Sequence, residues 1–314
     1  MAWVVGRRAA AQVAGAAAAA RNTGSGVRRG IASGTTNGVQ WFNGHCGSVY
    51  RHTPNTCWTV VPLGTSSAVP SPRRNVTATY LRMLSAGYLF DAGEATFTQM
   101  RASYLASLRS LRRVFITHMH GDHVFGLPSI LMYTLELART YDAGGLAAEA
   151  LPRLQVYGPL GMYSFLRTAF VPAGRRGWES MPVDIHELLP PPRPAVHGGR
   201  APPPPPPPPT APNHFHLAPR ADGSYLVVDD AEHSVVAAPL HHSIACYGYV
   251  VSEKEKRHML PELVAARGVP PGRQYATLQR GVPITAPDGS TIRWEDVSYS
   301  SGSGRKVAIL GDNN

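Results

Sequence analysis

The chain has 314 residues, 43% of them hydrophobic, which suits one large globular domain or two small ones. The 31 glycines and 29 prolines argue against a helical bundle or a coiled coil, and three cysteines without a CxxC pair exclude a disulfide scaffold. No apolar run is long enough for a transmembrane helix, so we expect no membrane partner.

The net charge of +10 is concentrated near the N-terminus. Nine arginines and no acidic residue precede Asp91, whereas the rest of the chain is nearly balanced. Residues 1–50 are rich in Ala, Arg, Gly, Ser and Thr, a composition typical of organelle transit peptides. We therefore expect a targeting segment, for the chloroplast rather than the mitochondrion. The alternative is a disordered basic arm that binds nucleic acid.

From residue 57 onward, short β patterns alternate with helical ones, which predicts an α/β domain over 57–314. Strands are predicted at Thr59–Leu63, Thr77–Met83, Tyr88–Asp91, Arg113–Thr117, Leu154–Tyr157, Ser224–Val228, Ser234–Ala238, Tyr247–Val251 and Lys306–Leu310. Helices are predicted at Ala95–Leu108, Leu127–Ala138 and Met162–Phe170.

Residues 190–212 interrupt this pattern, because they hold 13 of the 29 prolines, eight of them consecutive. Such a run adopts polyproline II with a solvated backbone and has no place inside a sheet. We interpret it as a surface insertion within one domain. A ligand for a proline-binding module is the alternative to a tolerated loop expansion.

The strongest chemical signal is the run HMHGDH at residues 118–123, which follows a predicted strand. Imidazole nitrogens and carboxylate oxygens are ligands that zinc prefers. His118 and His120 end the strand and Asp122 and His123 begin a helix, so the run can address two neighbouring metals. A two-metal site suits phosphoryl or acyl displacement. Histidines in a solvated loop are the alternative.

The HxHxDH run resembles the metallo-β-lactamase superfamily; from the run alone, a glyoxalase-type or lactonase-type hydrolase stays open. Further segments resemble tRNase Z, the tRNA 3′-processing endonuclease, in a plant organellar form. They are LGTSSAVPSPRRN at 63–75, FDAGEAT at 90–96 (similar to FDCGEGTQ), VYGP at 156–159, PLHHSIACYGY at 239–249 and ILGD at 309–312. The resemblance covers about 59–312. It departs at Ala95 and Phe97, which replace Gly and Gln, and at Asn313, where the family usually has Thr.

The resemblance implies an α/β fold, the metallo-β-lactamase αββα sandwich, incomplete at the C-terminal side. It implies two zinc ions, with ligands distributed as follows: His118, His120 and His242 for one, Asp122 and His123 for the other, and Asp312 as the bridge. Asp122 is also the expected catalytic residue, placed to orient the nucleophile. The second site lacks one histidine of the family pattern.

The same resemblance implies a protruding arm over 252–290 that grips tRNA. Its composition alone, six basic residues against four acidic ones, fits a solvated hairpin equally well. The expected RNA-binding residues lie at the turn of the arm and near the site: Gly268, Pro270, Pro271 and Gly272, with Arg73 and Arg74. The arginine pair has a solvated surface role as its alternative.

The implied activity is hydrolytic removal of the 3′ trailer from precursor tRNA, with the RNA read by shape and phosphates. The family often forms homodimers. The sequence stops two residues after Asp312, so we expect a fragment of an active enzyme. The alternatives are a short form with one metal and little activity, a tRNA-binding form without catalysis, and a small-molecule metallohydrolase of the same fold.

Overall fold

The computed structural model describes residues 58–143, 153–174, 181–191, 206–300, 302 and 304–313. Nearer the N-terminus it describes only three short strands, β1 (Trp3–Val5), β2 (Thr35–Thr36) and β3 (Val39–Gln40). Apart from these strands, the expected targeting segment lies outside the described residues. So do residues 192–205 of the proline-rich segment.

Seven strands form a mixed sheet, called sheet I. Along the chain they are β4 (Thr59–Gly64), β5 (Ala78–Arg82), β6 (Gly87–Phe90), β7 (Leu111–Phe115), β8 (Leu154–Pro159), β9 (Val183–Leu188) and β10 (His214–Leu217). Their spatial order is β10-β9-β8-β7-β6-β5-β4. The pairs from β6 to β10 are parallel and those of β4, β5 and β6 antiparallel.

Helices cover one face of sheet I. They are α1 (Thr96–Ala102), α3 (Leu127–Ala143) and α4 (Met162–Phe170), with the single turn α2 (Gly121–Val124) between α1 and α3. Leu127 and Leu166 are fully buried with sheet residues such as Val114 and Val156, which makes a first hydrophobic core. Of the helices in the described ranges, none has the length and hydrophobicity of a membrane span.

Helix α1 is shorter than the sequence pattern indicates, because it ends at Ala102 instead of Leu108. The Ser103 hydroxyl accepts hydrogen bonds from the backbone N–H groups of Leu105 and Ala106. This local side-chain turn competes with the continued helix. The apolar spacing that favoured a longer helix instead places Leu105 and Leu108 against the first core.

The rest of the chain adds a second sheet and a separate subregion. The remaining elements are β11 (Tyr225–Asp229), β12 (His233–Leu240), β13 (Cys246–Glu253), β14 (Arg257–Met259), α5 (Pro261–Ala266), α6 (Arg273–Gln279), β15 (Ile284–Thr285), β16 (Thr291–Ile292), a 3₁₀ turn (Trp294–Val297), β17 (Ser298–Ser300) and β18 (Lys306–Ile309). Sheet II is antiparallel, in the order β1-β18-β13-β12-β11.

A second core joins the two sheets face to face and is rich in aromatic rings. Phe115 of sheet I stacks between Phe90 and Tyr157, with ring centroids 4.9 and 5.3 Å apart. The buried Tyr249 of sheet II donates its hydroxyl proton to the carbonyl oxygen of Ile116, 2.8 Å away. This hydrogen bond fixes the separation of the sheets at the level where β7 ends.

The outer face of sheet II carries an apolar row. Cross-strand pairing aligns Leu226, Val236, Val250 and Ala308, one from each of β11, β12, β13 and β18. Leu226 and Val250 are each 36% exposed, and the row lies outside the hydrophobic cores of the described residues. The described part of the chain therefore contains three layers of the expected αββα sandwich: the helices, sheet I and sheet II.

The segment between β13 and β18 folds around a core of its own, called the arm core. It contains Val264, Val269, Leu278, Ile284, Ala286, Ile292 and Val297. At its base β14 pairs antiparallel with β17, with Met259 opposite Ser298. The arm therefore runs from Arg257 to Ser300, ten residues beyond the end that the resemblance implies.

The start of α1 carries a residue in an unfavourable backbone conformation. Ala95 has φ 59°, in the left-handed region, at the position where the similar motif has glycine. Glycine adopts this conformation without steric cost, so we expect Ala95→Gly to stabilise the fold by about 1 kcal/mol. Chemical denaturation measures the free energy of unfolding. The control Ala102→Gly, at the last residue of the same helix, should not stabilise; destabilisation by Ala95→Gly would contradict the assignment.

Candidate metal centre

Three chain segments that follow strands meet at one edge of the two sheets and carry the predicted ligands. His118 and His120 follow β7, and α2 presents Asp122 and His123. From sheet II, His242 follows β12 and Asp312 follows β18. Both sheets therefore contribute ligands, and the packing between the sheets sets the distances among them.

Three histidines form the first ligand group. The Nε2 atom of His118 lies 3.0 Å from Nδ1 of His120, which lies 3.4 Å from Nε2 of His242. The three donor atoms all lie within 4.8 Å of one another. Imidazole nitrogens that converge in this way are a zinc-type donor set.

The second ligand group combines one histidine with carboxylates. Nε2 of His123 lies 3.6 Å from a carboxylate oxygen of Asp122 and 3.6 Å from one of Asp312. His118, His123 and Asp312 form a second set of donors within 4.8 Å. Asp312 therefore lies where a residue shared by two metals would lie, beside His118 of the first group and His123 of the second.

Asp91, at the end of β6, organises both groups, and its role was not predicted. Its carboxylate accepts hydrogen bonds from the backbone N–H and the hydroxyl of Thr117, at 2.7 and 3.0 Å. It also contacts Nδ1 of His123 at 2.8 Å. The Thr117 hydroxyl in turn lies 2.9 Å from Nδ1 of His118. One nitrogen of each imidazole is thus engaged, so the other is directed into the site.

The pKa values of the two buried histidines, His118 and His123, are shifted in opposite directions. Burial lowers the pKa of His118 to about 3, assisted by the neighbouring histidines, so this ring is neutral and free to bind a cation. Burial also opposes the charged form of His123. The hydrogen bond and charge of Asp91, with the charges of Asp122 and Asp312, outweigh that effect and raise the pKa of His123.

Two glycines permit the close approach of the loops that carry ligands. A Cβ atom on Gly93 would lie 2.2 Å from the carbonyl oxygen of Asp122. A Cβ atom on Gly311 would lie 2.8 Å from Sγ of Cys246, which contacts the carbonyl oxygen of Asp312 at 3.3 Å. Burial raises the pKa of Cys246 to about 12, so it packs as a neutral thiol.

The ligands open onto a cleft of about 510 Å³. His120, Asp122, His242 and Asp312 line one side, and residues 67–70 line another. The backbone N–H of Ala68 donates to a carboxylate oxygen of Asp122 at 2.7 Å, which holds that carboxylate at the cleft. Phe125, 64% exposed, also lines the cleft.

The other predicted residues lie around this centre. Arg73 and Arg74 are exposed in a turn closed by hydrogen bonds to Ser71, outside the cleft lining. His241, the neighbour of His242, is exposed. The predicted arm turn lies between α5 and α6, where Gly268 has φ +77° and Gly272, Pro270 and Pro271 follow.

The donor set fits divalent metal ions. Three imidazole nitrogens face one point, and a histidine with two carboxylates faces a second, which matches the ligand preference of zinc. The outer nitrogens of His118 and His123 can donate to the Thr117 hydroxyl and the Asp91 carboxylate, which are the kinds of partner that metal-bound histidines usually have.

An antiparallel sheet packed on a mixed sheet, with these ligands at the ends of strands from both, defines a protein of the metallo-β-lactamase fold. Zinc phosphodiesterase ELAC protein 1 of Bos taurus is 34% identical over 265 residues, covering 80% of this chain and 68% of that protein. Ribonuclease Z of Lactiplantibacillus plantarum is 34% identical over 254 residues, covering 80% and 67%. The chain belongs to the ribonuclease Z family.

Two other comparisons match parts of the chain. A family model described as anti-Pycsar protein Apyc1 matches residues 58–140. The crystal structure of human tRNase Z, short form (ELAC1), matches with 30% sequence identity and a TM-score of 0.47. That match covers 62% of this chain and 64% of the human chain.

Asp91 offers a test of the centre that leaves the ligands intact. Asp91→Asn keeps the shape but removes a negative charge and one acceptor, so we expect zinc affinity to fall about 10- to 100-fold. Competition with a chromophoric chelator measures the affinity. Asp184→Asn, on β9 and paired with Arg153, is the charge-matched control. Equal zinc affinity in the Asp91→Asn and unmodified chains would contradict the positioning role.

Proposed function

We propose that this chain is a zinc-dependent endoribonuclease that removes the 3′ trailer from precursor tRNA. The observation that carries the proposal is the combination of a two-group ligand centre in an open cleft with an arm that has its own core. The relatives named ribonuclease Z and zinc phosphodiesterase support the reaction class. The chain spans about two thirds of their length, so the whole enzyme's activity is proposed here.

Zinc is the metal that the donor set favours. His118, His120 and His242 would hold one ion, and Asp122, His123 and Asp312 would contribute to a second. When bound, two zinc ions supply a water of lowered pKa and a positive counter-charge for a phosphodiester in displacement.

The chain's own residues prepare the cleft for that chemistry. Asp122, fixed by the Ala68 N–H, presents a carboxylate to the cleft, where it is placed to orient and deprotonate the nucleophilic water. Phe125 offers an exposed ring face on which a base at the cleavage position stacks. Neither contact reads a base edge, which suits an enzyme that accepts many tRNAs.

The arm supplies the second part of the proposal. Arg267, Arg273 and Arg280 are exposed on it, and the main chain around Gly268 and Gly272 is accessible to phosphates. A hydrolase of small molecules has no use for such a separately folded extension. We therefore assign the arm to tRNA recognition by backbone charge and shape.

Replacing the arm tests the assignment without disturbing the sheets. Residues 260–297 are exchanged for Asn-Gly, a two-residue turn that suits the β14–β17 hairpin because Met259 pairs with Ser298. Cleavage of a precursor tRNA should fall by about 100-fold or more, since phosphate contacts distant from the centre are lost. Hydrolysis of bis(p-nitrophenyl) phosphate should be unchanged.

The matched variant is Arg273→Ala with Arg280→Ala, which keeps the arm core and removes two exposed charges. It should weaken tRNA binding and reduce the salt dependence of binding, again with the small substrate unaffected. Equal loss of both activities in either variant would count against recognition by the arm.

We also propose delivery to the chloroplast, with the mitochondrion as the alternative destination, and assembly as a homodimer. The acid-free, arginine-rich composition of residues 1–50 supports the first. A fusion of residues 1–50 to a fluorescent protein should colocalise with an organelle marker in plant cells. The same fusion with its five arginines changed to glutamine should stay diffuse; import of both fusions would contradict a charge-dependent leader.

A further inference from the structure

A second group of potential metal ligands lies outside the catalytic centre. Glu187, His214 and His216 each offer one donor atom, and the three atoms lie within 4.8 Å of one another. Glu187 is 2% exposed and His214 8% exposed, so the group is largely removed from solvent. Nothing in the proposed tRNA cleavage uses these residues.

The register of sheet I brings the three side chains together. β9 and β10 are parallel, with His216 opposite Glu187 and His214 opposite Ile185. Residues two apart on a strand face the same side, so both histidines and the glutamate share one face of the sheet. This face packs against α4, where the ring of Tyr163 stacks on His214 with centroids 3.9 Å apart.

The carboxylate of Glu187 is held in position from two directions. One oxygen accepts the backbone N–H groups of Gly161 and Tyr163, each at 2.8 Å, at the start of α4. The other oxygen lies 2.9 Å from Nε2 of His214 and 3.5 Å from Nε2 of His216. Two imidazole nitrogens therefore converge on the one carboxylate oxygen that the backbone leaves free.

Hydrogen bonding alone does not satisfy this arrangement. Nε2 of His216 is buried and has no hydrogen-bond partner in the described part of the chain. A buried polar atom of this kind usually has a role or a bound partner. In a tetrahedral zinc site with bonds of about 2.0–2.1 Å, ligand atoms lie about 3.3–3.4 Å apart. The observed 3.5 Å matches that spacing, and the 2.9 Å contact needs a small opening.

We propose that Glu187, His214 and His216 bind one zinc ion at a site separate from the catalytic centre. Each imidazole would bind through Nε2 in its neutral form, and Glu187 through its free oxygen. Water would fill the fourth position. The site would connect the end of β9 to β10, the two strands that border the proline-rich segment, and through Glu187 to the start of α4.

Zinc counting in the full chain tests the proposal. A chain with His120→Ala and His123→Ala loses one ligand from each of the two catalytic groups. It retains Glu187, His214 and His216. After dialysis against zinc and removal of free metal, we expect elemental analysis to find one tightly bound zinc per chain. Adding His216→Gln should remove that equivalent. His258→Gln, an exposed histidine on β14, should leave it in place.

Cobalt spectroscopy gives a second readout that does not depend on activity or on disabling the catalytic centre. His216→Cys keeps a ligand at this position, so the cobalt-loaded variant should gain a thiolate-to-cobalt charge-transfer absorption that the cobalt-loaded unmodified chain lacks. Circular dichroism and thermal melts confirm folding before either measurement. Any one of three results would overturn the proposal. The first is a chain with His120→Ala and His123→Ala that retains no zinc, and the second is a zinc count of that chain that adding His216→Gln leaves unchanged. The third is a folded, cobalt-loaded His216→Cys chain that lacks the new absorption.

Discussion

The buried carboxylate of Asp91 is the interaction on which the metal centre depends. It joins the end of β6 to the backbone after β7 through Thr117, and to α2 through His123. A carboxylate with no exposed surface is costly unless its acceptors are satisfied, and here hydrogen-bond donors from two separate segments satisfy them. The same bonds orient His118 and His123. The same hydrogen bonds therefore hold the strand ends together and align the ligands.

The ligand geometry also depends on how the two sheets are spaced. His118 and His120 follow a strand of sheet I, while His242 and Asp312 follow strands of sheet II, so the distances between them depend on the core between the sheets. Stacked aromatic rings fill that core, and the Tyr249 hydroxyl bonds to the Ile116 carbonyl two residues before His118. Large rings in contact resist small displacements, because a close-packed interior has few empty volumes. A rigid core of this kind holds ligands from different sheets in place.

The sequence predicts the metal ligands well, but it does not predict the residues that hold those ligands in position. The run at 118–123 combines ligand types at a strand end, and this local pattern was sufficient for the metal hypothesis. Asp91 lay within a recognised segment, but its role requires the pairing of β6 with β7. In the structure Asp91 has φ 58° directly after a buried strand, a feature that the sequence does not show. Strands β9 and β10 were missed because the proline run separates them, and Glu187 and His216 come together only through their register. The end of α1 was missed because the Ser103 turn overrides apolar spacing.

The two long insertions both connect strands that are neighbours in a sheet, but they do so differently. The arm joins the antiparallel strands β13 and β18, whose connected ends meet, so a longer connection adds only a slowly growing entropy of loop closure. The proline-rich segment joins the parallel strands β9 and β10, so it has to return along the length of the strands. The sheets and the metal centre thus keep their geometry whatever the arm contains. The arm stabilises its own fold with the arm core, so its surface can change without altering the positions of the metal ligands.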